Sequence, residues 1–182
     1  IMPTTPDLEI DEYETPRQLV RNCLIALTPS LDKEFKTFLD PCTGRGNWFN
    51  ELQLMINHSG KINHYCEILE GLDFYKVTEK YDVIYGNPPF SQLSKWLEHS
   101  RNQSNSVIAY LLPAHALSHK RLSLMEDFGW SLKSMHSIKN PKEWNLGFAH
   151  FFCIWIKTEK DEGDNYVLPQ MKIHQSVLGD FL

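Results

Sequence analysis

The sequence predicts an α/β fold, a doubly wound and mostly parallel sheet with helices on both faces and an antiparallel hairpin at one edge. Three observations carry the prediction. Short apolar runs alternate with segments of helical apolar spacing, a glycine-containing turn joins the first strand to the helix after it, and little chain separates the last two β-like runs. At 182 residues and 42% hydrophobic content, the chain fits one domain with a proper core. It divides into an N-terminal extension over residues 1–12, a core over 13–156 and a C-terminal segment over 157–182.

Thr15 is a candidate N-cap with Pro16 at the first helical position, and Leu19, Val20, Cys23, Leu24 and Leu27 place a helix over residues 15–27. Residues 35–40 read as a strand, 41–46 as the glycine turn and 47–52 as a helix. A second strand over 61–68 carries a carboxylate near its end, and a buried third spans 81–85. Residues 94–100 supply a helix with Trp96 and Leu97 on its inner side. The unbroken apolar run 106–112, closed by Pro113, suits a central parallel strand. Residues 131–138 and 149–156 form the closing pair, after which 157–165 turns charged and polar, as in a solvated loop.

A net charge of −5 argues against a surface that is basic throughout, so a polyanion would have to meet a local patch. Cys23, Cys42, Cys66 and Cys153 are scattered without paired metal-ligand spacing, which fits reduced thiols of the cytoplasm and no metal site. No apolar stretch approaches the roughly 20 residues needed to span a bilayer, which predicts no membrane partner.

Ligands of open α/β sheets bind beyond the carboxyl ends of the strands, so the polar residues there belong together: Asp40, Glu67 and Asn87. Gly44 and Gly46 let backbone approach a bulky ligand, and Asp40 can accept from an ammonium or from backbone amides. Glu67 at the second strand end suits a ribose diol, with Glu70 a weaker candidate, and Asp73-Phe74 offers an acceptor beside an aromatic face. The most informative segment is Asn87-Pro88-Pro89-Phe90, directly after the buried third strand. It brings a side-chain amide oxygen, a stiff backbone and a stacking face to one point. Prolines lack amide donors and fix φ near about −65°, so the carbonyls of Asn87 and Pro88 stay out of local secondary structure and can accept from a planar NH2 group.

These motifs, in this order, resemble those of S-adenosylmethionine-dependent amino-methyltransferases, and most closely the adenine-N6 DNA methyltransferases. Tyr13-Glu14-Thr15-Pro16 resembles the Thr-Pro motif before the cofactor fold, and Asp40-Pro41-Cys42-Thr43-Gly44-Arg45-Gly46 resembles the cofactor loop. Cys66-Glu67-Ile68 and Gly71-Leu72-Asp73-Phe74 are similar to the ribose and adenine motifs, and Asn87-Pro88-Pro89-Phe90 to the catalytic motif. The resemblance covers residues 13–156 and implies a Rossmann-like sheet of the class I methyltransferase type. It further implies S-adenosylmethionine as cofactor, S-adenosylhomocysteine as product, no metal, and methyl transfer to the N6 amine of adenine in DNA. Glu67 and Asp73 lie closer together than in larger relatives, which predicts a shortened helix between them.

On this resemblance, the Asn87 side-chain oxygen and Pro88 carbonyl accept the two amine protons, and Phe90 stacks on the target base. A second aromatic wall comes from Trp144, Phe148 or Phe151, with Phe148 the choice. Core packing is the expected job of Phe151 and Phe152. Basic residues in two loops, His119-Lys120-Arg121 and Lys133, Lys139 and Lys142, suit phosphate contacts that bring affinity without base information. Once the motifs are assigned, no stretch is left for a target-recognition domain, so target reading would fall to loops, a homodimer or a partner subunit, as in a phage or mobile-element restriction-modification enzyme. The rival readings are an RNA adenine-N6 methyltransferase, a protein glutamine-N5 methyltransferase and a catalytically silent nucleic-acid-binding module.

Overall fold

The computed structural model describes residues 14–144 and 147–158, together with a strand over Lys172–Leu178. The strands are β1 (Thr37–Asp40), β2 (Ile62–Tyr65), β3 (Tyr81–Gly86), β4 (Ser104–Pro113), β5 (Trp130–Ile138), β6 (His150–Lys157) and β7 (Lys172–Leu178). They form one sheet in the order β2-β1-β3-β4-β6-β5-β7. β6 is antiparallel to both of its neighbours, and every other pairing is parallel. The expected antiparallel pair is therefore β5 with β6, and β6 inserts beside β4. Sequence reading did not anticipate β7, which adds a further strand outside β5.

Four helices cover the faces: α1 (Arg17–Leu27), α2 (Asn47–Ile56), α3 (Leu93–Gln103) and α4 (His119–Glu126). Alternation along the strands decides which face each residue serves. Val83 and Tyr85 of β3, Val107, Ala109 and Leu111 of β4, and Phe152 and Ile154 of β6 pack toward α1 and α2. Their neighbours Ile84, Ile108, Tyr110, Leu112, Cys153 and Trp155 pack toward α3 and α4. Both faces of the central strands are thus covered, which explains the unbroken apolar stretches 83–85 of β3 and 107–112 of β4.

Several expectations are corrected. The N-cap of α1 is Pro16, with no side-chain cap. The Thr15 hydroxyl instead accepts from the indole N–H of Trp48 at 3.1 Å. The second strand is only Ile62–Tyr65, because residues beyond it fold into single 3-10 turns at Ile68–Glu70 and Phe74–Lys76. These turns stand where a crossover helix would be, in agreement with the close spacing of Glu67 and Asp73. The basic segment at 119–121 is the first turn of α4 and not a loop, and Lys133 lies within β5 at a bulge. The polar segment expected at 157–165 lies largely outside the described residues.

The chain before β1 is fastened to α2 by a buried carboxylate. Glu51, 2% exposed, accepts from Arg17 Nε at 2.7 Å and from Arg21 Nε and Nη2 at 3.1 and 3.0 Å. Burial alone would raise the Glu51 carboxyl, but the hydrogen bonds and charges of Arg21 and Arg17 outweigh it and hold it below the usual range. This clamp fixes the position from which Thr15 reaches the site. No helix among the described residues is long and apolar enough to cross a membrane.

Candidate active site

Because β1, β2, β3, β4 and β5 all run the same way, their carboxyl ends, and the first residue of the antiparallel β6, meet along one edge. Asp40 closes β1 there and is fully buried. Its Oδ1 accepts from the Cys42 backbone N–H at 3.3 Å, and its Oδ2 is buried without a partner among the described residues. Burial pushes the Asp40 carboxyl up to about 7, against the pull of nearby hydrogen-bond donors. The loop after it turns on Gly44 (φ 51°) and Gly46 (φ 87°), both left-handed. Gly46 is the N-cap of α2. Glu67 ties this loop to β2: one carboxylate oxygen accepts from the Gly44 N–H at 2.8 Å and the other from the Leu69 N–H at 3.1 Å.

The segment Asn87-Pro88-Pro89-Phe90 leaves β3 beside Asp40, and Gly86 makes that approach feasible. A Cβ on Gly86 would lie 3.0 Å from Asp40 Oδ1, and its φ of 139° disfavours other residues. The Cys42 thiol donates to the Asn87 backbone carbonyl at 3.0 Å, so this carbonyl is not unengaged as the proline argument expected. The bond also couples the glycine loop directly to the Asn-Pro-Pro turn. Burial, reinforced by the charges of Asp40 and Glu67, keeps the Cys42 thiol protonated as a donor. On the other side, the Asn87 amide nitrogen donates to Thr15 Oγ1 at 3.4 Å, which orients the amide oxygen away from Thr15.

A cluster of rings stands across from the carboxylates. His150, which pairs with Pro113 across β4 and β6, has Phe90 at 6.0 Å, Trp144 at 5.1 Å and Phe148 at 5.1 Å between ring centroids. Phe148 is 37% exposed and meets His115 edge-on at 5.1 Å. Trp144 is buried, and its indole N–H donates to the Glu14 carbonyl at 3.0 Å. Phe152 belongs to the core, stacked on Trp48 at 5.8 Å.

Among the sequence-predicted residues, Thr15, Pro16, Asp40, Pro41, Cys42, Gly44, Gly46, Glu67 and Asn87 to Phe90 come together at this edge. Asp73 stays near it, raising the Cys66 thiol by its charge together with Asp40 after the larger effect of burial, while its own Oδ1 accepts from the Tyr75 N–H at 3.0 Å. Ile68 is exposed. Phe74 does not offer a ring to a ligand: it is 3% exposed and packed 4.7 Å from Trp96 and 4.6 Å from His99. Arg121 is committed as well, its guanidinium donating to Ser94 Oγ and the Ala116 carbonyl, whereas Lys120 is exposed. No group of three or more metal-ligating side chains is found among the described residues.

Sequence reasoning passed over Gly86, Asn140 and His150. A glycine closing an apolar strand is a signal of close backbone approach and could have marked Gly86. Nothing local marks His150, whose place depends on the long-range β4–β6 register.

No family model matches the sequence, and no curated protein matches it either. Solved structures do. A Listeria monocytogenes protein ascribed to the class I S-adenosylmethionine-dependent methyltransferases superposes with a TM-score of 0.64 at 11% identity, over 86% of this chain and 64% of that one. The methyltransferase subunit of a type I restriction-modification system from Streptococcus thermophilus gives 0.59 at 16% identity, over 82% of this chain and 46% of its own. Magnesium protoporphyrin IX methyltransferase from Synechocystis, solved with bound S-adenosylmethionine, gives 0.58 at 13% identity, over 78% and 79%. The chain thus spans less than half the length of the restriction-modification subunit. What these likenesses share with the present chain is the fold, and that fold is the Rossmann-like sheet of the class I methyltransferases.

Proposed function

We propose that the chain transfers a methyl group from S-adenosylmethionine to the exocyclic N6 amine of adenine in DNA. One observation carries the reading: two cofactor-type carboxylates and the Asn-Pro-Pro-Phe turn meet at one sheet edge, coupled through the Cys42–Asn87 bond. The residues fit the cofactor. The buried, unpartnered Oδ2 of Asp40 is an acceptor suited to an ammonium, which would also stabilise its charged form. Glu67 spends one lone pair of each oxygen on backbone N–H groups and keeps the others for a ribose diol. At Gly44 a Cβ would meet nothing within 4 Å, so open space adjoins the loop. Asp73 retains a second carboxylate oxygen for an adenine amine, with no ring from Phe74 beside it.

The bound cofactor supplies an electrophilic methyl group. Everything else falls to the chain. An adenine amine is a poor nucleophile because its lone pair is delocalised into the ring. Acceptance of its two protons by the Asn87 amide oxygen and the Pro88 carbonyl favours a pyramidal nitrogen and aims the lone pair. Phe90 and Phe148 would hold the ring, which in a duplex must first be flipped out at a cost of a few kcal/mol. Lys120 on α4, and Lys139 and Lys142 after β5, lie on segments at the same edge, where phosphates would approach. The likeness to a restriction-modification methyltransferase subunit favours DNA as the polymer. Target reading would come from loops, a second copy or a partner subunit.

The test is to incubate the protein with labelled S-adenosylmethionine and separate DNA, RNA and protein acceptors, then digest the product to nucleosides. Label in N6-methyldeoxyadenosine is the expected result. Label in RNA nucleosides or in glutamine would overturn the choice of substrate, and failure to bind the cofactor would overturn the enzyme reading.

A further inference from the structure

His150 is held in a single tautomer by a neighbour whose own orientation is fixed. The Asn140 side-chain nitrogen donates to the Phe148 carbonyl at 2.7 Å, which leaves its amide oxygen 2.9 Å from His150 Nδ1. An amide oxygen only accepts, so Nδ1 carries the hydrogen and Nε2 presents a lone pair. That Nε2 is buried and has no hydrogen-bond partner among the described residues, in a side chain 1% exposed. The ring lies 6.0 Å from Phe90 and 5.1 Å from Phe148 between centroids, the two aromatics assigned to the base. An unsatisfied acceptor in an otherwise packed aromatic corner is costly to keep, and a ligand N–H is the natural partner for it.

We infer that His150 is a further specificity-determining residue, whose Nε2 accepts an amine proton of the target base. The inference rests on the adenine-methylation reading above and adds to it a third acceptor, so that one amine proton is shared between the Pro88 carbonyl and the imidazole in a three-centre bond. An acceptor at that place receives an amino group and repels the carbonyl oxygen that thymine or guanine carries there. Asn140 is a positioning residue, acting through the tautomer. Burial, aided by His115, lowers the His150 imidazole to about 4, so it stays neutral and able to accept throughout the neutral range.

The test combines two variants with a measurement on the wild-type protein. His150→Phe keeps a ring and removes the acceptor. It should lower kcat/KM on DNA by about 10- to 30-fold while S-adenosylmethionine affinity holds. His150→Gln, which returns an amide oxygen, should recover part of the loss, as a purely structural role would not. In the wild-type protein with S-adenosylhomocysteine, the His150 Nε2 nitrogen resonance, assigned by its absence in His150→Phe, should move on adding a deoxyadenosine oligonucleotide and not a thymidine one. Equal DNA methylation by His150→Phe, or an Nε2 resonance that ignores the deoxyadenosine oligonucleotide, overturns the inference and leaves the methyltransferase reading standing. Absence of transfer to any nucleic acid by the wild type overturns both.

Discussion

On the β1–β2 side of the carboxyl edge, the site is made of carboxylates and backbone: Asp40, Glu67 and a glycine loop whose N–H groups they accept. On the β3–β4–β6 side it is made of rings, with Phe90, Trp144 and Phe148 around His150. The first half can grip a charged, hydroxylated molecule by hydrogen bonds from several directions. The second can grip only something flat, and reads it through a few polar atoms at its rim. On the proposed reading one edge would serve two ligands of different chemistry, and the seam between the halves is narrow: the Cys42–Asn87 hydrogen bond and the contact of Gly86 with Asp40.

If the halves are separable, a substitution in one should leave the other intact. The largest separable effect is expected at Asn87. Asn87→Ala removes the acceptor proposed for the amine and should lower kcat by about 100- to 1,000-fold, the range for losing one preorganised polar group at a reacting centre. Cofactor affinity, measured by calorimetry, should change less than about threefold. A parallel loss of cofactor binding would show that the two halves form one unit.

Asp40→Asn strikes the opposite half. Losing a charged acceptor should weaken cofactor binding by about 10- to 100-fold. The same change should stabilise the ligand-free protein at alkaline pH, and the sign follows from the titration. The Asp40 carboxyl stands at about 7 in the fold against 3.8 unfolded, so the folded state holds a proton that the unfolded chain releases between those values. Its contribution is complete below pH 3.8 and is lost as pH rises through 7, on the order of 4 kcal/mol if no ligand intervenes. His150 titrates in the other sense: its pKa falls from 6.5 to about 4, so its contribution is present above 6.5 and lost as pH falls through 4. Denaturation of wild type and both variants across pH 4–8 should show Asp40→Asn flattening the alkaline loss and His150→Phe the acidic one.

The halves also differed in how far the sequence disclosed them. Asp40, Gly44, Glu67 and Asn87 each sit at a strand end or in the turn after it, so local apolar runs and turn chemistry suffice to align them along one edge. His150 faces Phe90 only because β6 inserts antiparallel beside β4 and sets His150 against Pro113, a register that no local pattern specifies. Phe74 was misread for the converse reason: the motif puts it next to Asp73, but its ring fills a hollow against Trp96 and His99 of α3. The strand β7 was not anticipated; it pairs in parallel with β5.

Gly86→Ala tests the seam itself. The new methyl would meet Asp40 Oδ1 at 3.0 Å on a backbone with φ of 139°, which should cost about 1–3 kcal/mol in thermal or denaturant unfolding. Since Asp40 must move or Asn87 must shift, cofactor affinity and kcat should fall together. A loss of stability with both functions unchanged would mean that the halves do not communicate through this contact.

The smallest effect is expected at Phe148, and it separates recognition from packing. The ring is 37% exposed, so truncation removes little buried area. The bond from Asn140 goes to the Phe148 backbone carbonyl, so Phe148→Ala leaves the Asn140–His150 pair in place. Melting temperature should therefore barely change. If a base stacks on that ring, KM for DNA should still rise by roughly fivefold, about 1 kcal/mol and the lower end for one aromatic face. The cofactor, assigned by the proposed function to the opposite half, should bind as before. An unchanged KM would move the second wall to Trp144, whose ring is buried and fastened to Glu14, and would make the slot deeper and more rigid than a partly exposed Phe148 allows.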